Sequence, residues 1–488
     1  GGGGMVGDGK GDDDGGVSRT SPTSDDVGIT SFVYDVFERA HFWVAPTNCV
    51  IIRLADRLVD LQGGVMRSSF VLLLLAAIPT FSTDPARATW VPDGAPLCTG
   101  VQSSLGAAIA SDGAGGAIVA WLDNRNGINL PYDHDIYVQR VGPWGTPLWT
   151  ANGVPVCTAA GNQENVEIAS DGFGGAIVTW QDFRSDEAIL DIYAQRVDAT
   201  GAALWTTDGV AVCTAAGSQF SMTLVSDGAG GAIVTWEDAR ISFGESDVYA
   251  QRVDASGIPQ WTVDGVALCT ATLSQKSPSI VSDGAGGAIV SWQDKRSSSH
   301  DIYVQRVDAT GTPLWTVDGV PLCMAAGGQM HAQIVSDGAG GAIVTWEDWR
   351  ISYADVYAQR VDASGIPQWT VNGVALCTAP SSVELPTICS DGAGGAIVTW
   401  ADKRDSPFTD FHDIYAQRVD ASGIPQWTVN GVALCTEANK QRDPRITSDG
   451  AGGAIVTWSD KRDGLDYAIY AQQMNASGIP QWSGDGVA

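Results

Sequence analysis

The sequence predicts an all-β fold, a seven-bladed β-propeller of four-stranded antiparallel blades. Three observations carry this. One unit recurs seven times, at spacings of 54 to 59 residues. Each unit alternates β-branched and aromatic runs with Gly-rich turns. No segment has helical periodicity of useful length.

The unit reads S-D-G-x-G-G-A-I-V-x-W-x-D-x-R, a variable gap, D-I/V-Y-x-Q-R-V-D-A-S/T-G-x-P-x-W, then x-x-D/N-G-V-x-L/V-C-T. In the third copy the short run Met222 to Val225 is strand A. Asp227-Gly-Ala-Gly-Gly231 is a tight turn, because Gly tolerates positive φ. Ala232-Ile-Val-Thr-Trp236 is strand B by composition. Val248 to Val253 alternates apolar and polar with period two and is strand C. Ala255-Ser-Gly-Ile-Pro259 turns the chain again, and Trp261 to Cys269 supplies strand D. Four strands in this length match a propeller blade, and ring closure removes exposed sheet edges. A linear array of β repeats is the alternative, for which the unit is short. The repeats open at Trp90 to Cys98, a D segment, and end at Trp482 to Ala488, half of another. Either residues 90–98 complete the last blade or further sequence follows Ala488.

The unit resembles a repeat of secreted bacterial proteins of unassigned function. It is similar to the TolB-like propeller repeat, where a Ser-Pro-Asp-Gly turn precedes a strand, an Asp-Arg pair and Asp-Ile-Tyr. It is also similar to the sialidase Asp-box, with its Ser, Asp, Gly and Trp. The resemblance covers residues 90–488. It departs from TolB in its Ser-Asp-Gly and in the Trp before the Asp, and from the Asp-box in order and spacing. It implies a propeller blade and no particular reaction.

Every copy carries Trp-x-Asp-x-Arg: Trp121/Asp123/Arg125, Trp180/Asp182/Arg184, Trp236/Asp238/Arg240, Trp292/Asp294/Arg296, Trp346/Asp348/Arg350, Trp400/Asp402/Arg404 and Trp458/Asp460/Arg462. A catalytic reading would make Asp238 an acid or base and Arg240 an anion clamp. The structural reading is stronger, because a ring usually has one active centre whereas blade-stabilising contacts recur in every blade. It predicts that Asp caps the turn, Arg is its charge-assisted partner, and Trp packs between sheets. Cys98, Cys157, Cys213, Cys269, Cys323, Cys377 and Cys435 also fall once per unit. Neighbouring blades set them too far apart for the ~5.5 Å Cα separation of a disulfide, so they are expected free and buried, as small hydrophobes. Cys389 is outside the pattern, which leaves a Cys377–Cys389 disulfide open. Asn475-Ala-Ser477 matches a glycosylation sequon, but it sits where other copies have Asp, which reads as drift in a turn.

The first 88 residues carry no copy. Residues 1–65, with their Gly/Asp-rich start, read as a disordered upstream extension foreign to the native start. Met66, Arg67, the apolar run Phe70 to Ala77 and Ala86-Arg87-Ala88 compose a secretory signal peptide over 66–88. The run is short for a membrane span, though an anchor at 70–81 behind a cytoplasmic extension is the rival reading. The mature chain is then 89–488, expected as a monomer without a transmembrane segment, secreted, periplasmic or on the cell surface. The full sequence's 27 Lys plus Arg against 56 Asp plus Glu argue against nucleic acid and anionic lipid.

Function is expected where copies differ. The B–C gaps vary, from residues 126–134, 185–190 and 241–246 through 297–300, 351–354, 405–412 and 463–467, as do the D–A connections near 163–166, 219–221, 276–278 and 441–445. Alternating strand directions put both sets on one face. The longest, aromatic-bearing gaps nominate Tyr132, His134, Phe408, Phe411 and His412 as ligand contacts. His134, His300, His331 and His412 all fall in variable segments, but the three that precede the Asp-Ile-Tyr strand, His134, His300 and His412, belong to units 1, 4 and 6, which are not neighbours and so argue against a shared zinc ion. No metal site or cofactor is assigned; Asp133/Asp135, Asp186/Glu187/Asp191 and Asp405/Asp410/Asp413 keep calcium open. Two function classes follow: a non-catalytic scaffold binding an extracellular glycan or protein, favoured because no singular carboxylate cluster shows, and a propeller hydrolase or lyase on polysaccharide.

Overall fold

The protein is seen as a computed structural model, which describes residues 41–44, 50–53, 94–99, 104–126, 133–186, 188–242, 244–405, 411–464 and 466–488. The chain divides into two compact units, residues 1–83 and 84–488. In the first, β1 (His41–Val44) and β2 (Val50–Arg53) pair antiparallel, with His41 opposite Arg53. The signal peptide expected over 66–88 lies outside the described residues.

The second unit is a seven-bladed β-propeller. Six blades are four-stranded antiparallel sheets in the chain order A-B-C-D, and the seventh has three strands. Blade 1 runs from Ser104 to Cys157, blade 2 from Gln163 to Cys213, blade 3 from Gln219 to Cys269, blade 4 from Gln275 to Cys323, blade 5 from Gln329 to Cys377, blade 6 from Val383 to Cys435, and blade 7 from Gln441 to Met474. No helix occurs among the described residues.

Blade 3 shows why the sequence folds this way. Strand A (Gln219–Ser226) enters the Ser-Asp-Gly turn, where Asp227 Oδ1 accepts the amides of Ala229 and Gly231, both at 2.8 Å. A Cβ on Gly231 would lie 2.2 Å from the Val253 carbonyl oxygen, so no other residue fits there. Strand B (Ala232–Ser242) pairs with strand C (Glu245–Val253), Trp236 opposite Tyr249. The D/N-G pair before strand D puts both residues at positive φ (Asp264 60°, Gly265 88°), which Asp and Asn tolerate better than other side chains. That turn lets Trp236 lie under Gly265.

Consecutive blades pack face to face, with fully buried Trp180, Trp236, Trp292, Trp346, Trp400 and Trp458 at the centre. Six junctions are also tied by hydrogen bonds. Trp149, Trp205, Trp261, Trp315, Trp369 and Trp427 each donate Nε1 to a backbone carbonyl in the next blade's C–D turn, at 3.0–3.2 Å. The strand C arginine donates to the same oxygen, as Arg252 does to Ala309. Blade 7 carries Gln473 in place of that arginine. The faces of blades 1 and 7 that lack a consecutive neighbour are exposed: Ile109 is 69% and Ile469 64% accessible, where the six counterparts of Ile469 are at 0%. The fourth position of blade 7 is held by Val487, which exchanges two 2.8 Å hydrogen bonds with Ala471. Residues 94–99 contact blade 1, through Cys98 to Asp123 and the Thr99 amide to Asn152, as the D segment of blade 1 contacts blade 2 through Cys157 to Asp182 and the Thr158 amide to Asp208.

Two expectations change. The variable D–A segments are largely strand, because strand A already begins at Gln163, Gln219, Gln275 and Gln441. Their irregularity comes from a bulge repeated in all seven blades, with Asn165, Ser221, Ser277, His331, Leu385 and Asp443 at φ of 46–53° and Gly106 at 56°. The B–C gaps of blades 2 and 3 are also strand for much of their length, B reaching Asp186 and Ser242.

Candidate functional site

Around each Trp-x-Asp-x-Arg the side chains form one closed cluster. Asp123, Asp182, Asp294, Asp348 and Asp402 are 0% exposed, and Asp238 and Asp460 are 1% exposed. The expected turn cap and its arginine partner are both present, and Asp182, Asp294, Asp348 and Asp402, like the other three, are buried between blades. Each is the hub of its cluster. It accepts the Trp indole N–H at 2.7–2.9 Å. It pairs with the Arg at 2.5–2.6 Å. Capping the turn, by accepting the Arg amide, is one of its three tasks. The guanidinium lies 3.7–4.0 Å over the strand C tyrosine and reaches a C–D carbonyl at 2.6–2.8 Å. A buried carboxylate needs this full set of partners to stay ionised. The seven carboxylates themselves are closed to solvent.

The repeat cysteine of the preceding D strand touches the same cluster: Arg184 Nη2 lies 3.1 Å from Cys157 Sγ. These thiols are therefore more than hydrophobic filler. They are free, as are Cys377 and Cys389, so the Cys377–Cys389 disulfide is not formed. Burial pushes Cys157 and Cys389 up to about 12, which makes them unreactive.

The nominated loop residues divide. Tyr132 and Phe408 lie outside the described residues. His134 is 7% exposed, with its ring Nδ1 3.2 Å from Asn162 Oδ1. His412 is 1% exposed. The sequence placed both at a binding surface, but their position is a junction: the His134 and His412 carbonyls accept the amides of Gln163 and Gln441, the first residues of the next blade. Phe411 is 42% exposed.

Phe411 opens onto a cleft of about 490 Å³ between blades 6 and 7, whose other walls are Asn439, Lys440, Arg442, Lys461, Gly464 and Tyr467. Blade 7 builds most of it: the D–A connection gives Asn439 and Lys440, strand A gives Arg442, and the B–C hairpin gives Lys461 and Tyr467. The Gln441 amide bonded to the His412 carbonyl holds the two walls together at 2.9 Å. Arg442 Cζ is 4.3 Å and Lys461 Nζ 5.5 Å from the Tyr467 ring centre. Arg442 also meets Asp443 at 3.2 Å, both about half exposed. The sequence pattern missed Lys461, because it fills the wildcard between Asp and Arg of the motif; charge at the wildcards was the available signal.

Beside the cleft, Glu384 meets Lys403 Nζ at 2.7 Å and His412 Nε2 at 3.1 Å. His412 and Lys403 hold the Glu384 carboxyl down to about 2, the opposite of what a general acid needs. Raised carboxylates do exist. Burial, reinforced by the facing strand B aspartate, pushes Asp247 and Asp355 to about 6. Burial and then the charge of Asp405 push Asp413 to about 7. Asp135, Asp191 and Asp301 are raised at the same place in their blades, so the property belongs to the repeat. Of the carboxylates considered for calcium, Asp135 accepts Asn126 and Asp191 accepts Ser185, while Glu187 and Asp410 lie outside the described residues. Among the described residues no three His, Cys, Asp or Glu side chains gather to hold a metal.

No family model matches the chain, and no curated protein matches it. Among solved structures, an ulvan lyase of a polysaccharide lyase family is 11% identical, with 80% of this chain and 96% of that chain covered at a TM-score of 0.45. A protein of unknown function from Dyadobacter fermentans is 11% identical over 78% and 96%, at 0.42. A Hadza microbial sialidase is 10% identical over 76% and 66%, at 0.36. Likeness at this level carries no argument about activity.

Proposed function

We propose that the protein is an exported, non-catalytic propeller that binds an extracellular glycan or protein on the face carrying its B–C loops. One observation carries this: the side chains shared by all blades are sealed inside the Trp-Asp-Arg clusters, while exposed aromatic and basic side chains that differ between blades meet in one cleft on the loop face. Rigid scaffolds place recognition in such loops. The signal-peptide pattern at Met66 motivates export, and intact mass of the product should begin near Thr89. Recovery of residues 1–65 in the exported protein would overturn that part.

A polysaccharide-cleaving enzyme is the second reading. Asp413, near 7 and three residues from Asp410, is the group that would favour it. Incubation of the pure protein with a panel of extracellular polysaccharides and protein extracts, scoring retention and new reducing or unsaturated ends together, separates the two. Retention without cleavage is expected; turnover abolished by Asp413→Asn would move the enzyme ahead.

A further inference from the structure

We propose that the cleft between blades 6 and 7 takes the anionic group of an acidic saccharide, a uronate carboxylate or a sulfate ester. This rests on the loop-face binding reading and adds the chemistry of the ligand.

Charge is the first argument. Residues 89–488 hold 20 Lys plus Arg against 45 Asp plus Glu, yet Lys440, Arg442 and Lys461 line this one cleft. Blade 4 has Lys276 and Lys295 at two of the three corresponding positions and Ser274 at the third, and no other blade has more than one cation there. A cleft lined by cations in an otherwise acidic chain draws anions toward it.

Orientation is the second. The Arg442 guanidinium lies over the Tyr467 ring, 4.3 Å from its centre, and a guanidinium can grip a carboxylate or sulfate through two oxygens. Its contact with Asp443 is exposed on both sides, hence weak and readily exchanged for a ligand oxyanion. Size and apolar surface are the third. The cleft lies within the ~300–1,000 Å³ range of small-ligand sites, below the roughly 800 Å² per partner of a protein interface. Phe411 and Tyr467, 42% and 40% exposed, flank the cations with flat apolar surface suited to the C–H faces of a pyranose. An acidic peptide would use the charge but not these two rings.

The test is titration of the full chain with galacturonate and chondroitin sulfate oligosaccharides, beside neutral malto-oligosaccharides and polyglutamate. Acidic saccharides should bind, and more weakly as ionic strength rises. Arg442→Ala with Lys461→Ala should lose roughly tenfold or more in affinity at an unchanged melting temperature. Lys276→Ala with Lys295→Ala, on blade 4, should change neither. Equal binding of neutral sugars, retained affinity in the blade 7 pair, or loss in the blade 4 pair would each overturn the proposal. Binding of polyglutamate without the saccharides would reassign the cleft to an acidic protein. A ligand that binds the loop face but ignores the Arg442 change would remove the cleft and leave the broader reading intact. Cleavage of the saccharide would remove the broader reading itself.

Discussion

Arg240 and Arg442 use the same partners in opposite ways. Each guanidinium lies on a tyrosine, at 3.8 Å from Tyr249 and 4.3 Å from Tyr467. Arg240 is 20% exposed, and its Nε and Nη2 are taken by a buried aspartate, a backbone carbonyl and a thiol. Arg442 is 44% exposed and meets an aspartate that is itself 45% exposed. A closed set of partners makes an arginine part of the fold; an open one leaves it able to exchange a weak partner for a ligand. The first arrangement is repeated seven times and the second occurs once among the described residues, so the difference lies in what surrounds the pair rather than in residue type.

The largest effect should come from the closed cluster. Trp236 is fully buried, so Trp236→Ala should lower stability by about 4 kcal/mol in denaturant melts. A loss under about 1 kcal/mol would show that blades collapse around the gap. Arg240→Ala strands the buried Asp238 charge and should lose about 3 kcal/mol. Adding Asp238→Ala should return part of that loss, since no unpaired charge then remains; additive losses would mean the pair is not coupled.

A smaller effect is pH-dependent. Asp355 is 1% exposed with one carboxylate oxygen unpartnered, and it titrates near 6 when folded. A carboxyl whose pKa is raised by folding contributes stability at low pH that is lost as pH rises through the folded value. Asp355→Asn should therefore match the parent near pH 3, below the ordinary aspartate value, and exceed it by roughly 1–3 kcal/mol at pH 8. Parallel stability–pH curves for the two would show that the charge at Asp355 costs nothing. Smallest of all, Tyr467→Ala should change stability by no more than about 0.5 kcal/mol, because an open cleft wall has little to lose. A larger loss would make the cleft part of the scaffold.

The contrast also explains what the sequence could show. Sevenfold repetition exposes every contact that recurs, so blade number, strand order and the Asp-Arg pairing are legible from the motif alone. The further partners of that pair are not: Asp182 and Asp402 also accept the indole N–H of Trp180 and Trp400, which the motif does not spell out. Repetition also hides what sits in its variable positions. Lys461 occupies a wildcard, and Arg442 belongs to a segment that looks like a loop until the bulge at Asp443 shows it to be strand. His412 misleads in the other direction. It stands in a variable gap, but its backbone carries an inter-blade hydrogen bond that draws the ring inward, and nothing in the residue type signals that. Phe411, one position earlier, faces out as the gap suggested.

The central claim is that repeated residues hold the propeller and singular ones meet the ligand. Paired melts and titrations with galacturonate oligosaccharides on Arg240→Ala and Phe411→Ala test it directly. Arg240→Ala should melt earlier while its folded fraction binds like the parent, and Phe411→Ala should melt like the parent while binding several-fold more weakly. An Arg240→Ala protein that melts like the parent yet loses binding would contradict the claim and put Trp-x-Asp-x-Arg in the site itself.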